Sequence, residues 1–329
     1  MIETAGVDEV DQVERKPEGL KIFQYILLLS SVLILPGVQW PLFSWLNGLI
    51  PLIIFLLLYG LGWNLGNRIM LQGTLLACVV GFFLGSMPLV LLSLTGIAPG
   101  YVIAYSAGRS EKQVLAGMKG IVCLGFCWLL FWVGLVATDN AFSYSALIHS
   151  VQNGMDATLN VYRQNTSIPV DKLLLIDQFL NQVKSIFPII LPAILGNIII
   201  ITIWLTMVLG NSLALRYCHK SPWPEYKYWK LPERLIWAVI FSAMLALIPL
   251  QPLQPMGINL LLLVGLFYIF QGIAILVYFL DKWNMPIMLR LPLYAIAVIQ
   301  SAGTLLLLVI GIADIWLDFR RINKESTKQ

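Results

Sequence analysis

Seven polar side chains stand inside long apolar runs: Gln72, Asn197, Asn211, Asn259, Gln271, Gln300 and Asp314. A carboxamide carries both donors and acceptors, and hydrocarbon can fill neither. Each of these groups must therefore face protein, water or a ligand. The simplest role is a hydrogen bond between neighbouring helices. Their grouping in the C-terminal half, beside Thr202, Trp204, Tyr268 and Thr304, points further, to non-covalent recognition of a small solute. The expected binding set is Asn197, Gln271, Gln300, Trp204 and Tyr268, turned toward one shared polar space of roughly 300 Å³ or more. Asp314 and Asp318 are one helical turn apart and next to Arg320 and Arg321, which reads as a charge cluster at the membrane interface rather than a proton relay.

Bond-breaking chemistry finds little support. The two histidines, His149 and His219, fall in different extramembrane segments. No HExxH, GxSxG or Walker pattern occurs, and no group of acids resembles a metal site. Cys123 and Cys127 share a helix face, but no histidine or acid accompanies them, so they read as small packing residues. The expectation is a protein that is not an enzyme, with no cofactor and no metal. Any nucleotide-driven step must then come from another chain.

The elements that position these residues follow from composition. Hydrophobic residues make up 59% of the chain and charged residues only 12%, about half the share of a soluble domain. Long unbroken apolar runs such as 49–61 and 260–270 favour helices over the alternating strands of a barrel. At about 20 residues per crossing, the apolar segments are 22–38, 44–63, 69–88, 89–107, 114–137, 186–215, 233–250, 257–280 and 288–313. The expected fold is an all-α, polytopic transmembrane helix bundle of about nine spans, within a range of about 8–10. Residues 1–20 form a polar tail, 21–137 and 186–316 two transmembrane halves, 138–185 a segment between them and 317–329 a second polar tail. The acidic start, with Glu3, Asp8, Glu9 and Asp11, lacks the basic region of a cleavable signal.

Within 138–185, Leu173, Ile176, Leu180 and Val183 make one apolar stripe, with Asp171, Lys172, Asp177 and Lys184 off it. This predicts one or two amphipathic helices lying on the membrane or capping the bundle. With a cytoplasmic N-terminus, every Lys and Arg before the C-terminal tail lies on the inner side except Arg163, Lys172 and Lys184. Nine spans leave the basic C-terminal tail outside, against that bias. Small residues at every fourth position allow close helix approach. Ala77, Gly81 and Gly85 make such a stripe, readable as internal packing or as a docking face for a partner membrane subunit. Ala116 and Gly120 make a shorter one.

Several short motifs bring a family to mind. They are Phe187-Pro188 and Leu191-Pro192, Tyr228-Trp229-Lys230-Leu231-Pro232, Gln271-Gly272, Gly311-Ile312-Ala313-Asp314, and Asp318-Phe319-Arg320-Arg321. Together they resemble the YybS-like family of uncharacterised bacterial inner-membrane proteins, over most of the chain by span pattern and over about 187–321 in specific residues. That resemblance implies a bacterial inner-membrane location and a distant similarity in fold to the S-components of energy-coupling-factor transporters. Those are bundles of about six helices that hold a vitamin or metal and dock on a coupling subunit through small residues. This sequence departs from that pattern: it has more spans and no alanine repeat in its first span. The reading that follows is a multi-pass protein that binds or helps move a small solute as a transporter subunit. Its rivals are a structural or assembly protein acting through helix contacts, and a lipid-handling protein. The partners expected are the lipid bilayer and other membrane subunits, with no nucleic acid.

Overall fold

A computed structural model describes residues 19–138, 143–164 and 169–320. Among them every regular element is a helix. In chain order these are α1 (Gly19–Val38), α2 (Trp40–Phe43), a 3-10 turn (Ser44–Leu49), α3 (Ile50–Leu61), α4 (Trp63–Phe83), α5 (Met87–Leu94), α6 (Ile97–Gly108) and α7 (Gln113–Thr138). Then come α8 (Tyr144–Gln164), α9 (Val170–Cys218), a 3-10 turn (Tyr226–Tyr228), α10 (Leu235–Leu247), α11 (Leu253–Lys282), α12 (Ile287–Ile299) and α13 (Ser301–Leu317). Residues 1–18 and 321–329 of the polar tails, Arg321 among them, and Asp139 of the middle segment lie outside the described residues.

Seven helical stretches are long and apolar enough to cross a membrane: α1, α2 through α3, α4, α5 through α6, α7, α9 and α11. The pair α12 and α13, bent by 92° at Gln300, is a possible eighth. The all-α polytopic bundle is as expected, and the bent pair brings the count to the lower end of the expected range of about 8–10; two of the nine apolar runs differ in form. The apolar run 233–250 yields only the 13 residues of α10, and the run 288–313 is broken. The run 69–107 does divide in two, at the turn around Gly85.

The middle segment differs in form from the surface helices expected. Its second half is not a separate helix: α9 continues unbroken for 49 residues from the polar stripe into the membrane. At 1.5 Å per residue that is about 74 Å, more than twice the hydrocarbon thickness. α8 folds back along its outer part as a hairpin, joined by Arg163–Asp177 (3.1 Å) and by Lys184–Asp156. Leu173, Ile176, Leu180 and Val183 are half-buried there. The border expected near 185 therefore falls inside a continuous helix.

Prolines within α9 remove backbone donors and free carbonyls one turn earlier. Pro192 has no N–H for the Pro188 carbonyl, and the Tyr144 hydroxyl of α8 donates to that oxygen instead (2.8 Å). One residue on, Asn259 of α11 inserts its carboxamide into the weakened turn. It accepts from the Ala193 N–H (2.8 Å) and donates to the Ile189 carbonyl (2.6 Å). Asn259 is thus helix glue, and the proline sequence explains why glue is needed there.

The core runs through α1, α3, α4, α5, α6, α7 and α9, with Leu29, Ile54, Phe55, Ile69, Ile103 and Ile203 fully or almost fully buried. These are six membrane passes sharing one interior. The remaining helices form a second unit beside α9, in which α11 packs on α10 and α13. Contacts at Gly265 with Leu308, Tyr268 with Gly311 and Gln271 with Asp314 keep a constant sequence offset, so α13 runs parallel to α11. α13 therefore ends on the side where α11 ends. There Arg320 reaches the carbonyls of Lys227 and Trp229 (both 2.8 Å), in the basic loop after α9. That placement brings the end of α13 to the side with the basic loops and removes the conflict that nine spans created.

Candidate functional site

The loop 219–234 does not stay at the membrane surface. Leu231 bonds to Gln271 and Tyr226 to Phe270, both well inside α11. α10 is short because this loop occupies part of its depth. Irregular backbone at that depth must be satisfied by protein, and the chain meets this demand residue by residue. Asn211 accepts from the Trp223 N–H (3.0 Å) and donates to the Pro224 carbonyl (3.1 Å). The Trp229 indole also donates to Pro224 (2.8 Å). The Tyr226 hydroxyl donates to the Phe270 carbonyl (2.5 Å). Gln271 accepts from the Leu231 N–H (3.1 Å) and donates to Asp314 (3.0 Å). Asp314 in turn holds Arg320 (2.8 Å), with both side chains fully buried.

Asp314 does cluster with Arg320, as the sequence led one to expect, but inside the protein rather than at its surface. Its carboxylate is buried, and it lets the Arg320 guanidinium serve the loop carbonyls without leaving a lone charge in hydrocarbon. The close approach it requires comes from Gly272 and Gly311. A Cβ on either would collide with backbone of the other helix. The two motifs Gln271-Gly272 and Gly311-Ile312-Ala313-Asp314 are therefore one structural device on two helices.

Between α7, α9, α11 and this loop lies a cleft of about 130 Å³. α9 contributes Ile200, Ile203, Trp204 and Met207, and α11 contributes Phe267, Phe270, Gln271 and Ala274. α7 supplies Val114, Gly117, Met118 and Ile121, while Tyr226, Trp229, Lys230 and Leu231 close the loop end. Trp204 stacks on Phe270 (4.3 Å between ring centres, 7° between planes) and meets Tyr226 edge-on (5.6 Å). The walls are almost wholly apolar. A second, more open depression of about 450 Å³ lies between α4 and α6, where Arg109 covers the Tyr105 ring at 4.5 Å.

The five residues expected to share a polar cavity do not do so. Trp204 and Gln271 line the cleft. Gln271 is already engaged at both ends of its carboxamide. Asn197 sits two turns from Trp204 along α9, half-buried and beyond the cleft lining. Tyr268 is fully buried under α13. Gln300 is exposed at the bend between α12 and α13. Of the amides, Asn211, Asn259 and Gln271 lie where backbone needs partners, while Gln72 and Gln300 are exposed. The sequence argument missed Lys230, Tyr226 and Trp229, whose aromatic-basic pattern read as an interfacial loop.

The docking stripe also separates. Ala77 is fully buried, and Gly81 lies beneath Val90 of α5. Gly85 has φ +63°, a turn conformation that suits glycine, and nothing packs on it. Ala77 and Gly81 thus serve internal packing, and the three do not form one exposed face.

These features define a multi-pass α-helical membrane protein with an apolar intramembrane cleft. Residues 28–315 match the family described as "Predicted membrane protein (DUF2232)", and the chain belongs to that family. No curated protein and no solved structure matches the chain.

Proposed function

We propose that the protein is a non-enzymatic receptor of the bacterial inner membrane that holds a largely apolar small molecule in the cleft between α7, α9 and α11. One observation carries this reading. The cleft has aromatic and aliphatic walls; of its two carboxamides, Gln271 is held at both ends by Leu231 and Asp314, and Gln113 stands at the mouth, at the start of α7. A sugar or amino acid would leave its own polar groups unmet there. An amphiphile entering from the bilayer would not. This favours lipid handling over the solute transport that the isolated amides suggested. A receptor subunit working beside an energy-supplying chain fits the same facts. The six passes with one shared core agree in number with the helices of the S-components, to which the family resemblance points distantly in fold. The basic loops face the cytoplasm on this reading.

The test places a photoreactive residue at Phe267, in the cleft, or at Phe126, on the exposed face of α7. The purified protein is reconstituted in extracted bacterial lipid, irradiated and analysed by mass spectrometry. The expected result is a selected set of amphiphile adducts at 267 and the bulk lipid mixture at 126. The same mixture at both positions would sink the reading.

A further inference from the structure

We infer that the occupant of the cleft is an anionic amphiphile, an apolar chain bearing a phosphate headgroup, and that the Lys230 ammonium recognises the phosphate. This rests on the cleft being a binding site, as proposed above, and adds the chemistry of the headgroup.

Lys230 lines the cleft, and its Nζ is shielded from solvent and makes no hydrogen bond. The nearest carboxylate is Glu233 at 3.8 Å, whose side chain is 67% exposed. Lys227, three residues earlier, is different: it holds Glu225 at 2.7 Å and Asp281 at 3.0 Å. An ammonium offers three donors and accepts nothing. Leaving it shielded without a close acceptor is costly.

Gln271 holds Leu231 and Asp314, and the Tyr226 hydroxyl gives its proton to Phe270. The Trp204 indole N–H lies against that Tyr226 hydroxyl. Lys230 is thus the cation of the cleft that no close acceptor holds, and Gln113 the neutral polar group at its mouth. A ligand that suits the cleft must bring acceptors and negative charge to the loop end, and hydrocarbon to the Trp204–Phe270 wall. Gln113, the first residue of α7, also lines the cleft. The space therefore reaches the end of the bundle where Lys112 and Lys119 stand, which is where a headgroup resides.

The experiment uses the full-length protein in phosphatidylcholine vesicles containing a photoactivatable phosphatidylglycerol or a photoactivatable phosphatidylcholine at equal dose. Adducts on cleft residues of α7, α9 and α11 are quantified by mass spectrometry. The expected result is about a fivefold preference for the phosphatidylglycerol probe. It should fall to parity in Lys230→Met and persist in Lys230→Arg, while total cleft labelling remains. Inorganic phosphate at millimolar concentration should not compete; if it does, the site binds free phosphate and the amphiphile assignment is overturned. Equal labelling of the unmodified protein by both probes overturns the headgroup assignment alone, and decides the matter even if the methionine variant does not fold. No cleft labelling by either probe overturns both this inference and the receptor reading.

Discussion

In the first six passes the large fully buried side chains are aliphatic or aromatic, such as Leu29, Leu33, Ile54, Phe55, Ile69 and Ile103, with small hydroxyls such as Ser106 and Thr206 among them and no charge. In the unit built from α10 to α13 the buried set includes Gln271, Asp314 and Arg320. Both regions sit in the same lipid, so the difference is informative. Lipid tails are as apolar as leucine, and burying leucine against leucine gains only packing. That suffices where helices are long and regular, as in α1, α4 and α7. The second region contains a loop at membrane depth, and only charged and amide side chains can satisfy its backbone. One region is specified by shape and the other by hydrogen bonding.

Four substitutions break or sharpen this contrast. The largest effect is expected at Asp314→Ala, which strands the buried Arg320 and should cost about 3–5 kcal/mol. Thermal unfolding in detergent would read this as a strong loss. Limited proteolysis should show new cleavage in the 219–234 loop while the six-pass core stays resistant. If cleavage spreads evenly, the two regions are not distinct. Leu29→Ala comes next. It should cost about 2 kcal/mol, the low end for core truncation, because an unfolded leucine remains in lipid. A loss as large as that at Asp314 would erase the contrast.

Asn259→Ala removes the carboxamide from the Pro192 turn of α9 and leaves the Ala193 N–H and Ile189 carbonyl without it. A cost of about 1–3 kcal/mol is expected, with faster hydrogen exchange confined to α9 near residue 193. Protection unchanged there would show that the turn closes by itself. The smallest effect concerns Glu111 and Lys119, an ion pair of 2.7 Å between the α6–α7 loop and the second turn of α7. The hydrogen bond from Lys119 holds the Glu111 carboxyl below its ordinary value of 4.5. Its contribution is complete above that value and disappears as pH falls through the lowered one. Glu111→Gln should therefore lower stability slightly at pH 7 and match the native protein at strongly acidic pH. A deficit that persists in acid would assign the effect to something other than charge.

Much of this fold was legible in the residues. Apolar length marked the spans of α1, α3, α4, α7, α9 and α11, since hydrocarbon thickness sets a minimum that sequence alone displays. The stripe at Leu173, Ile176, Leu180 and Val183 marked an amphipathic face, but not that the helix carrying it would run on through Pro188 and Pro192. Hydropathy also could not show that the run beginning at 233 starts at depth, because what shortens α10 is a loop held by residues 40 and more positions away. The site was legible only in part. Trp204 and Gln271 stood out by chemistry in an apolar context. Asn259, Gln271 and Asp314 turned out to serve nearby backbone, and backbone need is invisible until helices are paired. Lys230 looked like one more basic residue of an interfacial loop. Only its placement, shielded among Tyr226, Trp229 and hydrocarbon, distinguishes it.

The brevity of α10 has a consequence for the membrane itself. Thirteen residues measure about 20 Å along the axis, against a hydrocarbon slab of about 30 Å. Trp237, Phe241, Met244 and Leu247 are exposed on this helix. α7, across the molecule, has 26 residues, about 39 Å. Lipid beside α7 thus meets helix throughout, whereas lipid beside α10 meets about 20 Å of helix completed by the loop 219–234. Varying acyl-chain length strains the loop-completed flank first, and should alter the C-terminal unit before it alters the six-pass core.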